Sequence, residues 1–261
     1  MKNIVVFIIV ILVCTNNIFG QEEDSVLRNI ESLGKNIYEY DKACWVATDL
    51  LKANHPDTSL LGNFIAHKEN NLWKVGFGKL AQDESRFLLA YEVIINSSNK
   101  ESNILTYTIP KIDTEFYYKA SKAYYVTRNE LGDAQLPYNY CVIKKDNENL
   151  YVYFYPPQPS LEYYYLGGDI RFTYNSILNK ITDQYKLHKS IIKMPYSNKG
   201  NEEAVATFAN AVLTTAPVET DILYVLSRNF KGDHYVGAGE WVYIIDASGV
   251  VKSKISRKEL E

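Results

Sequence analysis

A stripe of apolar residues at helical spacing is the first regular pattern in the chain. It recurs every three or four residues and consists of Val26, Ile30, Leu33, Ile37, Tyr40, Cys44, Ala47 and Leu51. Residues at this spacing lie along one side of a helix. The pattern predicts an amphipathic helix over residues 24–53, interrupted near Gly34 and ended by Asn54-His55-Pro56. Small and aromatic members of the stripe favour packing on a sheet or domain core over a coiled coil.

Short apolar segments separated by polar turns follow from Gly62 onward. They cover residues 63–68, 72–80, 86–96 and 104–109. The breaks between them are only a few residues long and are rich in Asn, Asp, Glu and Ser, which is typical of strands joined by short turns. This part of the chain therefore predicts an antiparallel meander.

The remaining segments mix helices and hairpins. Helices are predicted over residues 113–131 and 202–213, and strands over 140–145, 150–155, 170–175, 180–188, 222–227, 240–245 and 250–255. A proline cluster near residues 156–159 is a candidate for a boundary between two sub-lobes, the alternative to a single domain. The predicted fold class is α+β: an antiparallel sheet meander packed against a long N-terminal helix and shorter helices, in a single domain over residues 21–261.

The first twenty residues have the order of a secretory signal peptide. Lys2 precedes an unbroken apolar run over residues 4–13, then a polar break and the small Gly20. The run is shorter than the about 20 apolar residues of a transmembrane helix, which favours cleavage after Gly20 over an uncleaved anchor. A lipid-modified Cys14 is a third interpretation, weakened by the bulky Val13 before it. We expect a secreted or periplasmic protein with no stable membrane insertion after cleavage.

Composition and charge exclude several classes of protein. Apolar residues make up 46% and charged residues 23% of the 261 residues, as in an ordinary folded protein. The net charge of −3 provides no basic field for a nucleic acid. Three cysteines and four histidines leave little material for a metal centre. Neither a metal nor a cofactor is predicted.

Cys44 and Cys141 remain after the predicted cleavage. In an oxidising compartment they could form one disulfide, which would stabilise the fold by about 4–5 kcal/mol in the chain-entropy model. The alternative is two separate buried thiols, because free cysteine is among the most buried residue types. The length of the intervening segment does not decide between the two.

Tyrosine is unusually frequent, at 22 of 261 residues. Tyr151, Tyr153 and Tyr155 repeat on one side of a predicted strand. Tyrosine supplies rigid contact area and a hydroxyl, so this row predicts a surface that recognises a glycan, a peptide or a protein. The alternative is that tyrosine fits half-buried strand faces and serves packing alone.

No standard catalytic motif is present: the chain has no G-x-S-x-G, H-E-x-x-H, C-x-x-C or phosphate-binding glycine loop. The best remaining constellation is Gly167-Gly168-Asp169 with Arg171 and His188. His188 returns near Asp169 if the two hairpin strands pair with their ends aligned. An Asp–His pair supports general base chemistry, and Arg171 could hold an anionic substrate. The alternative is a solvated polar turn.

Two classes of function follow from these residues. The first is a secreted or periplasmic non-catalytic binding protein with a Tyr-rich recognition surface, and the missing motifs favour it. The second is a hydrolase-like enzyme that uses Asp169, Arg171 and His188. A closed pocket that holds Asp169 and His188 within hydrogen-bonding distance would favour the enzyme, and an open aromatic groove would favour binding.

Overall fold

Three helices and fourteen strands form the described part of the chain, which confirms the α+β class. The computed structural model describes residues 2–133, 136–158, 162–195, 206–208, 213–228 and 232–260, with side chains from residue 23 onward except those of Pro195 and residues 206–208. Contacts divide the chain into a terminal unit, Met1–Lys35 with Asn201–Glu261, and a central unit, Asn36–Gly200. Where side chains are described, no helix is long and apolar enough to cross a membrane.

The N-terminal helix, α1, runs over Lys2–Ala53. Its predicted end is confirmed, but Gly34 does not interrupt it. Gly34 is instead the point of contact with helix α3 (Glu219–Arg228), since a Cβ there would lie 2.4 Å from Cβ of Ile222. The predicted cleavage after Gly20 falls where only the backbone is described, so it stays a prediction.

The apolar stripe of α1 is buried over most of its length. Its buried members are Ile30, Ile37, Tyr40, Cys44, Ala47 and Leu51. Leu33 is half-buried. The expectation that Val26 faces the core is wrong: 49% of its surface is exposed, because it lies at the edge of an open depression that also contains Trp241 and Tyr243 of the terminal unit.

The first sheet of the central unit is the predicted meander. It consists of β1 (Asn63–Glu69), β2 (Leu72–Leu80), β3 (Phe87–Asn96) and β4 (Ser102–Asp113), paired antiparallel in that order. Strand β4 is longer than the predicted 104–109. Its register passes from Thr106 opposite Tyr91 to Lys111 opposite Leu89, so residues 107–110 bulge out opposite Ala90.

Helix α2 (Phe116–Leu131) packs on both sheets of the central unit. The second sheet has β5 (Asn139–Lys144), β6 (Asn149–Tyr155), β8 (Ile170–Asn175) and β9 (Lys180–Lys186) in that order, while β7 (Tyr163–Leu166) pairs with β10 (Ile192–Pro195). Phe87, Ala120, Val152 and Phe172 belong to one buried core between these elements. Both predicted hairpins and the second predicted helix are thereby confirmed within a few residues.

The C-terminal part of α1 packs against these sheets, as predicted. The Tyr40 hydroxyl accepts a hydrogen bond from the Ala66 N–H on β1 over 3.2 Å. The Tyr155 hydroxyl at the end of β6 donates to Oδ1 of Asp41 over 2.8 Å. These contacts join α1 to one strand of each sheet.

The terminal unit contains a four-stranded sheet of its own. Its strands are β11 (Ala206–Phe208), β12 (His234–Ala238), β13 (Trp241–Ile245) and β14 (Val251–Ser256), in that order. The predicted helix over 202–213 is wrong at residues 206–208, which pair in parallel with β12. Residues 202–205 and 209–212 of that prediction lie outside the described residues.

Helix α3 corrects the strand predicted over 222–227. Ile222 and Val225 favour a strand by intrinsic propensity, but packing decides in favour of a helix. At its start, Oδ2 of Asp221 accepts a hydrogen bond from the Val218 N–H over 2.8 Å. One face of α3 then packs into the core of the terminal unit, which holds Ile30, Ile222, Val225, Val236 and Ile245.

The candidate sub-lobe boundary near residues 156–159 falls inside the central unit. The boundaries between the two units fall after Lys35 and after Gly200. The single domain over residues 21–261 stays a prediction.

Truncation of the α1 stripe tests its burial. We expect Ile37→Ala to lower the free energy of unfolding by about 2–5 kcal/mol, because Ile37 is fully buried and its loss leaves a cavity. Val26→Ala is the matched control, with an expected change below about 0.5 kcal/mol. Urea unfolding followed by circular dichroism measures both, and equal effects would contradict this assignment of the helix faces.

His234 makes the stability of the terminal unit depend on pH. Burial, followed by the nearby Arg228, lowers the pKa of His234 to about 4, although Asp233 acts in the opposite direction. The folded form therefore disfavours the proton that the unfolded chain binds below its ordinary pKa near 6.5. His234 contributes no penalty above pH about 6.5 and destabilises progressively as the pH falls toward about 4, by roughly 2–3 kcal/mol in all.

His234→Gln removes this titration. We expect the unfolding free energy of the native chain to fall, relative to that of the variant, by roughly 2–3 kcal/mol between pH about 7.5 and about 4. The exposed His55, changed to Gln, is the control and should change the unfolding free energy at pH about 7.5 by less than about 0.5 kcal/mol. Parallel profiles for the native chain and His234→Gln would show that His234 is not held neutral.

Candidate functional site

Two glycines shape the turn that leads into β8. Gly167 and Gly168 have φ values of 71° and 74°, a region that side chains rarely adopt. A Cβ on Gly167 would lie 2.4 Å from the carbonyl oxygen of Ser190, and one on Gly168 would lie 2.2 Å from Cγ1 of Ile191. The turn therefore packs directly against the segment after β9.

This turn brings Asp169 and His188 together. Nδ1 of His188 lies 2.6 Å from Oδ1 of Asp169, as the hairpin argument predicted. The backbone aligns the same ends, since the Leu187 N–H donates to the Asp169 carbonyl over 3.0 Å. Their side chains are only 1% and 0% exposed, so the prediction of a solvated turn is wrong: the two strand ends close over the pair. Buried polar groups of this kind stabilise a turn when they satisfy each other.

Arg171 lies further along β8, in an aromatic stack. Its guanidinium is 4.8 Å from the ring centroid of Tyr151 and 5.3 Å from that of Tyr185. Lys145 lies 5.1 Å from the Tyr151 ring. Tyr151, Arg171 and Tyr185 come from β6, β8 and β9, so the arrangement is a cation–π ladder across three strands.

The predicted row of recognition tyrosines is mostly interior. Tyr153 and Tyr155 are 0% and 3% exposed, and Tyr151 is half-buried. Tyr155 is bonded to Asp41 of α1. The row as a whole therefore does not form a recognition surface. Of its three tyrosines, only Tyr151 is accessible enough to contact a ligand. Of the tyrosines with described side chains, none is exposed and nine are buried: Tyr40, Tyr91, Tyr117, Tyr153, Tyr155, Tyr164, Tyr174, Tyr224 and Tyr243.

Cys44 and Cys141 are both free and buried, so the structure has the two separate buried thiols and not the disulfide that the sequence leaves open as the other possibility. Burial raises the pKa of both thiols well above the ordinary value. The nearby Asp41 raises the pKa of Cys44 further, and Cys44 in turn raises the pKa of Cys141. A thiol with a raised pKa carries little thiolate and reacts slowly. The two cysteines therefore act as small apolar residues between α1 and β5.

An open groove of about 280 Å³ lies between α1 and the start of β5. We call it the α1–β5 groove. Its lining combines aromatic side chains with carboxylates, an amide and an ammonium group, contributed by Asp41, Cys44, Trp45, Thr48, Asp49, Lys52, Phe64, Tyr138, Asn139 and Tyr140. Trp45 is 55% exposed and forms its outer edge. Such a mixture of apolar rings and a few polar groups is typical of a ligand site.

Asp41 is the perturbed carboxyl group of the groove. Burial raises its pKa above the ordinary value, while Tyr155 and Trp45 act in the opposite direction. The hydrogen bond from Tyr155 leaves the carboxyl group fixed in place. A carboxyl group with a perturbed pKa in a cleft marks a candidate functional site.

The aromatic wall of the groove is rigid. The Tyr140 hydroxyl donates to the Phe64 carbonyl over 2.7 Å and accepts from the Phe64 N–H over 3.1 Å. The aromatic rings of Tyr140 and Phe64 are stacked, with their centroids 5.0 Å apart. Tyr138 is anchored from the other side, since its hydroxyl donates to the Gly168 carbonyl over 2.8 Å.

Tyr138 connects the groove to the Asp169–His188 pair. Burial raises the pKa of the Tyr138 hydroxyl, and the neighbouring Asp169 raises it further. The contact between Asp169 and His188 stabilises the glycine turn. The Gly168 carbonyl of this turn accepts the hydrogen bond that positions Tyr138. In this arrangement Asp169 and His188 position a wall of the groove.

Sequence reasoning missed the α1–β5 groove. Asp41, Trp45, Phe64, Tyr138 and Asn139 come from three separate segments, and no short motif links them. One signal was present: Trp45 is a large apolar residue outside the buried stripe of an amphipathic helix. A tryptophan on the polar face of such a helix is either a contact to another element or a binding residue.

A second polar cluster lies beneath α2. The buried Glu92 accepts a hydrogen bond from Tyr117 over 2.7 Å, and Gly76 leaves the space that the Tyr117 ring occupies. The His67 ring packs against Tyr117 with centroids 5.2 Å apart, and burial lowers its pKa. Among the residues that the structure describes, no group of three or more His, Cys, Asp and Glu side chains could hold a metal ion.

Comparisons with models of known protein families, with curated proteins and with solved structures gave no match. The assignment of a function therefore depends on the geometry of the molecule itself.

Removal of one partner tests the buried pair. We expect His188→Ala to lower the unfolding free energy by about 1–3 kcal/mol, because Asp169 stays buried without this hydrogen bond. Lys189→Ala, at the exposed next position, is the control and should change stability by less than about 0.5 kcal/mol. Chemical unfolding measures the stability of the two variants. Equal stability would contradict the buried contact and favour a solvated turn.

Proposed function

We propose that this chain is a secreted or periplasmic non-catalytic binding protein whose ligand lies in the α1–β5 groove. The proposal agrees with the class of function favoured by the sequence, a non-catalytic binding protein. It places the recognition surface in the groove and not on the tyrosine row of β6. The site consists of Trp45, Tyr138 and the polar residues between them, and the row at Tyr151, Tyr153 and Tyr155 serves mainly as core.

The exposure of Trp45 carries this proposal. At 55%, it is far more exposed than an indole on a covered helix face, and it borders the groove. A partner that covers this aromatic surface beside the groove gains free energy from its removal from water. Aromatic anchors next to a pocket supply most of the free energy in many complexes.

The fixed lining supports binding as well. Tyr140 and Tyr138 are each held by backbone hydrogen bonds, and Asp41 is held by Tyr155. A ligand therefore meets side chains that are already ordered, so little side-chain entropy is lost on binding.

The hydrolase alternative depends on the 2.6 Å contact between Asp169 and His188. A general base must come within hydrogen-bonding distance of the proton that it removes. The side chains of this pair are 0% and 1% exposed, which leaves a substrate no direct approach. The geometry is better suited to positioning than to proton transfer.

A matched pair of tryptophan variants tests the binding proposal. The purified chain is screened against glycans and peptides by heteronuclear NMR, and the affinity of any ligand found is measured for Trp45→Ala and Trp241→Ala. We expect Trp45→Ala to weaken binding at least about tenfold, because an aromatic anchor is lost. Trp241, 36% exposed in the terminal unit, is the control and should leave affinity unchanged.

Both variants should remain folded, since exposed positions contribute less than about 0.5 kcal/mol. A ligand that binds Trp45→Ala as tightly as the native chain would disprove the placement in the groove. Hydrolysis of that ligand by the native chain, lost in His188→Ala while the fold and the affinity for the ligand are retained, would establish the enzyme instead.

A further inference from the structure

We infer that the ligand of the α1–β5 groove is a neutral saccharide. This inference rests on the proposed binding function and narrows it from a glycan, peptide or protein to one chemical class. Three features of the groove support it: the exposed aromatic face, the mixture of hydrogen-bonding groups and the balance of charge.

The aromatic edge matches one face of a sugar ring. Pyranose rings present C–H groups on one side and hydroxyls around the rim. The indole of Trp45 is a flat apolar surface that is open to solvent, and Tyr138 lines the same groove. Aromatic rings of this kind bind flat apolar faces without requiring a charge on the ligand.

The polar lining matches hydroxyl groups. Each sugar hydroxyl both donates and accepts hydrogen bonds, so its site needs both kinds of partner. Asp41 and Asp49 accept, Lys52 donates, and the Asn139 amide and the Thr48 hydroxyl do both. A purely apolar ligand would leave these groups without partners, which is unfavourable.

The charges decide against an ionic ligand. The groove contains two carboxylates and one ammonium group, a formal excess of only one negative charge. Asp41 is already engaged by the Tyr155 hydroxyl, and burial raises its pKa, so it is a weak partner for a cation. Lys52 would repel a cation, while Asp41 and Asp49 would repel an anion.

The size of the groove indicates how much sugar it holds. Its volume of about 280 Å³ is slightly below the roughly 300–1,000 Å³ of pockets that enclose a small ligand. Trp45, Asp49 and Lys52 are exposed, so the groove stays open along this side. It therefore fits a short part of an oligosaccharide, with the rest of the sugar chain outside.

The experiment compares probes of different charge on the purified chain. The neutral probes are cellohexaose, maltohexaose and chitohexaose together with an array of neutral glycans. The cationic probe is tetramethylammonium, the anionic probe is an oligogalacturonate, and the peptide probe is a random heptapeptide library. Each is titrated against the native chain, Trp45→Ala, Trp45→Phe and Trp241→Ala.

We expect a neutral glycan to bind with an affinity that changes less than about twofold between about 0.05 and about 0.5 M NaCl, because screening acts only on charged ligands. Trp45→Ala should weaken this binding about tenfold or more, Trp45→Phe should recover part of the loss, and Trp241→Ala should have no effect. A structural role of Trp45 would instead alter the thermal midpoint in all conditions.

Two results would overturn the inference and differ in what they leave standing. Binding of only the cation, the anion or a peptide, lost in Trp45→Ala, would refute the saccharide but retain the binding function of the groove. Failure of every probe to bind in a Trp45-dependent way would refute the saccharide and the proposed function together.

Discussion

Tyrosines whose rings pack inside and whose hydroxyls bond to another element hold the central unit together. In four cases the partner lies on a different helix or strand: Tyr40 bonds to Ala66, Tyr117 to Glu92, Tyr140 to Phe64 and Tyr155 to Asp41. Each such bond contributes about 0.5–1.5 kcal/mol net, and losing a partner of a buried group costs more, about 1–3 kcal/mol. The high tyrosine content is therefore mainly a property of the core.

The same bonds build the groove. Tyr140 closes its floor by bonding to both backbone groups of Phe64, and Tyr155 fixes Asp41. Tyr138 is held from the glycine turn, which in turn depends on the buried contact between Asp169 and His188. A change at His188 would reach the groove through this chain of contacts, although His188 itself is not part of the lining.

Local pattern was enough to predict most of the central unit. The bounds of β2 and β8 agree with the predicted segments, and the Asp169–His188 contact followed from strand pairing within one hairpin. The terminal unit was harder, because Ile222 and Val225 carry a strand propensity that their packing as α3 overrides.

The groove could not be predicted for a different reason. Asp41 and Trp45 meet Tyr138 and Asn139 only after α1 packs on the two sheets, and these contacts are far apart in sequence. The burial of Tyr153 and Tyr155 could not be predicted either, since alternation along a strand does not reveal which of its faces is covered. Only the position of Trp45 off the buried stripe was visible beforehand.

The energy available at Trp45 explains why the polar lining matters. An aromatic side chain buries about 150–250 Å² when covered, at roughly 25 cal/mol per Å². With 55% of Trp45 exposed, a ligand could recover roughly 2–3 kcal/mol by covering it. That is less than the about 4 kcal/mol of even a millimolar complex, before the entropy of association is subtracted. If the proposed binding function holds, stacking on Trp45 sets where a ligand lies, and hydrogen bonds made with groups such as Asp41 and Asn139 decide whether it stays bound.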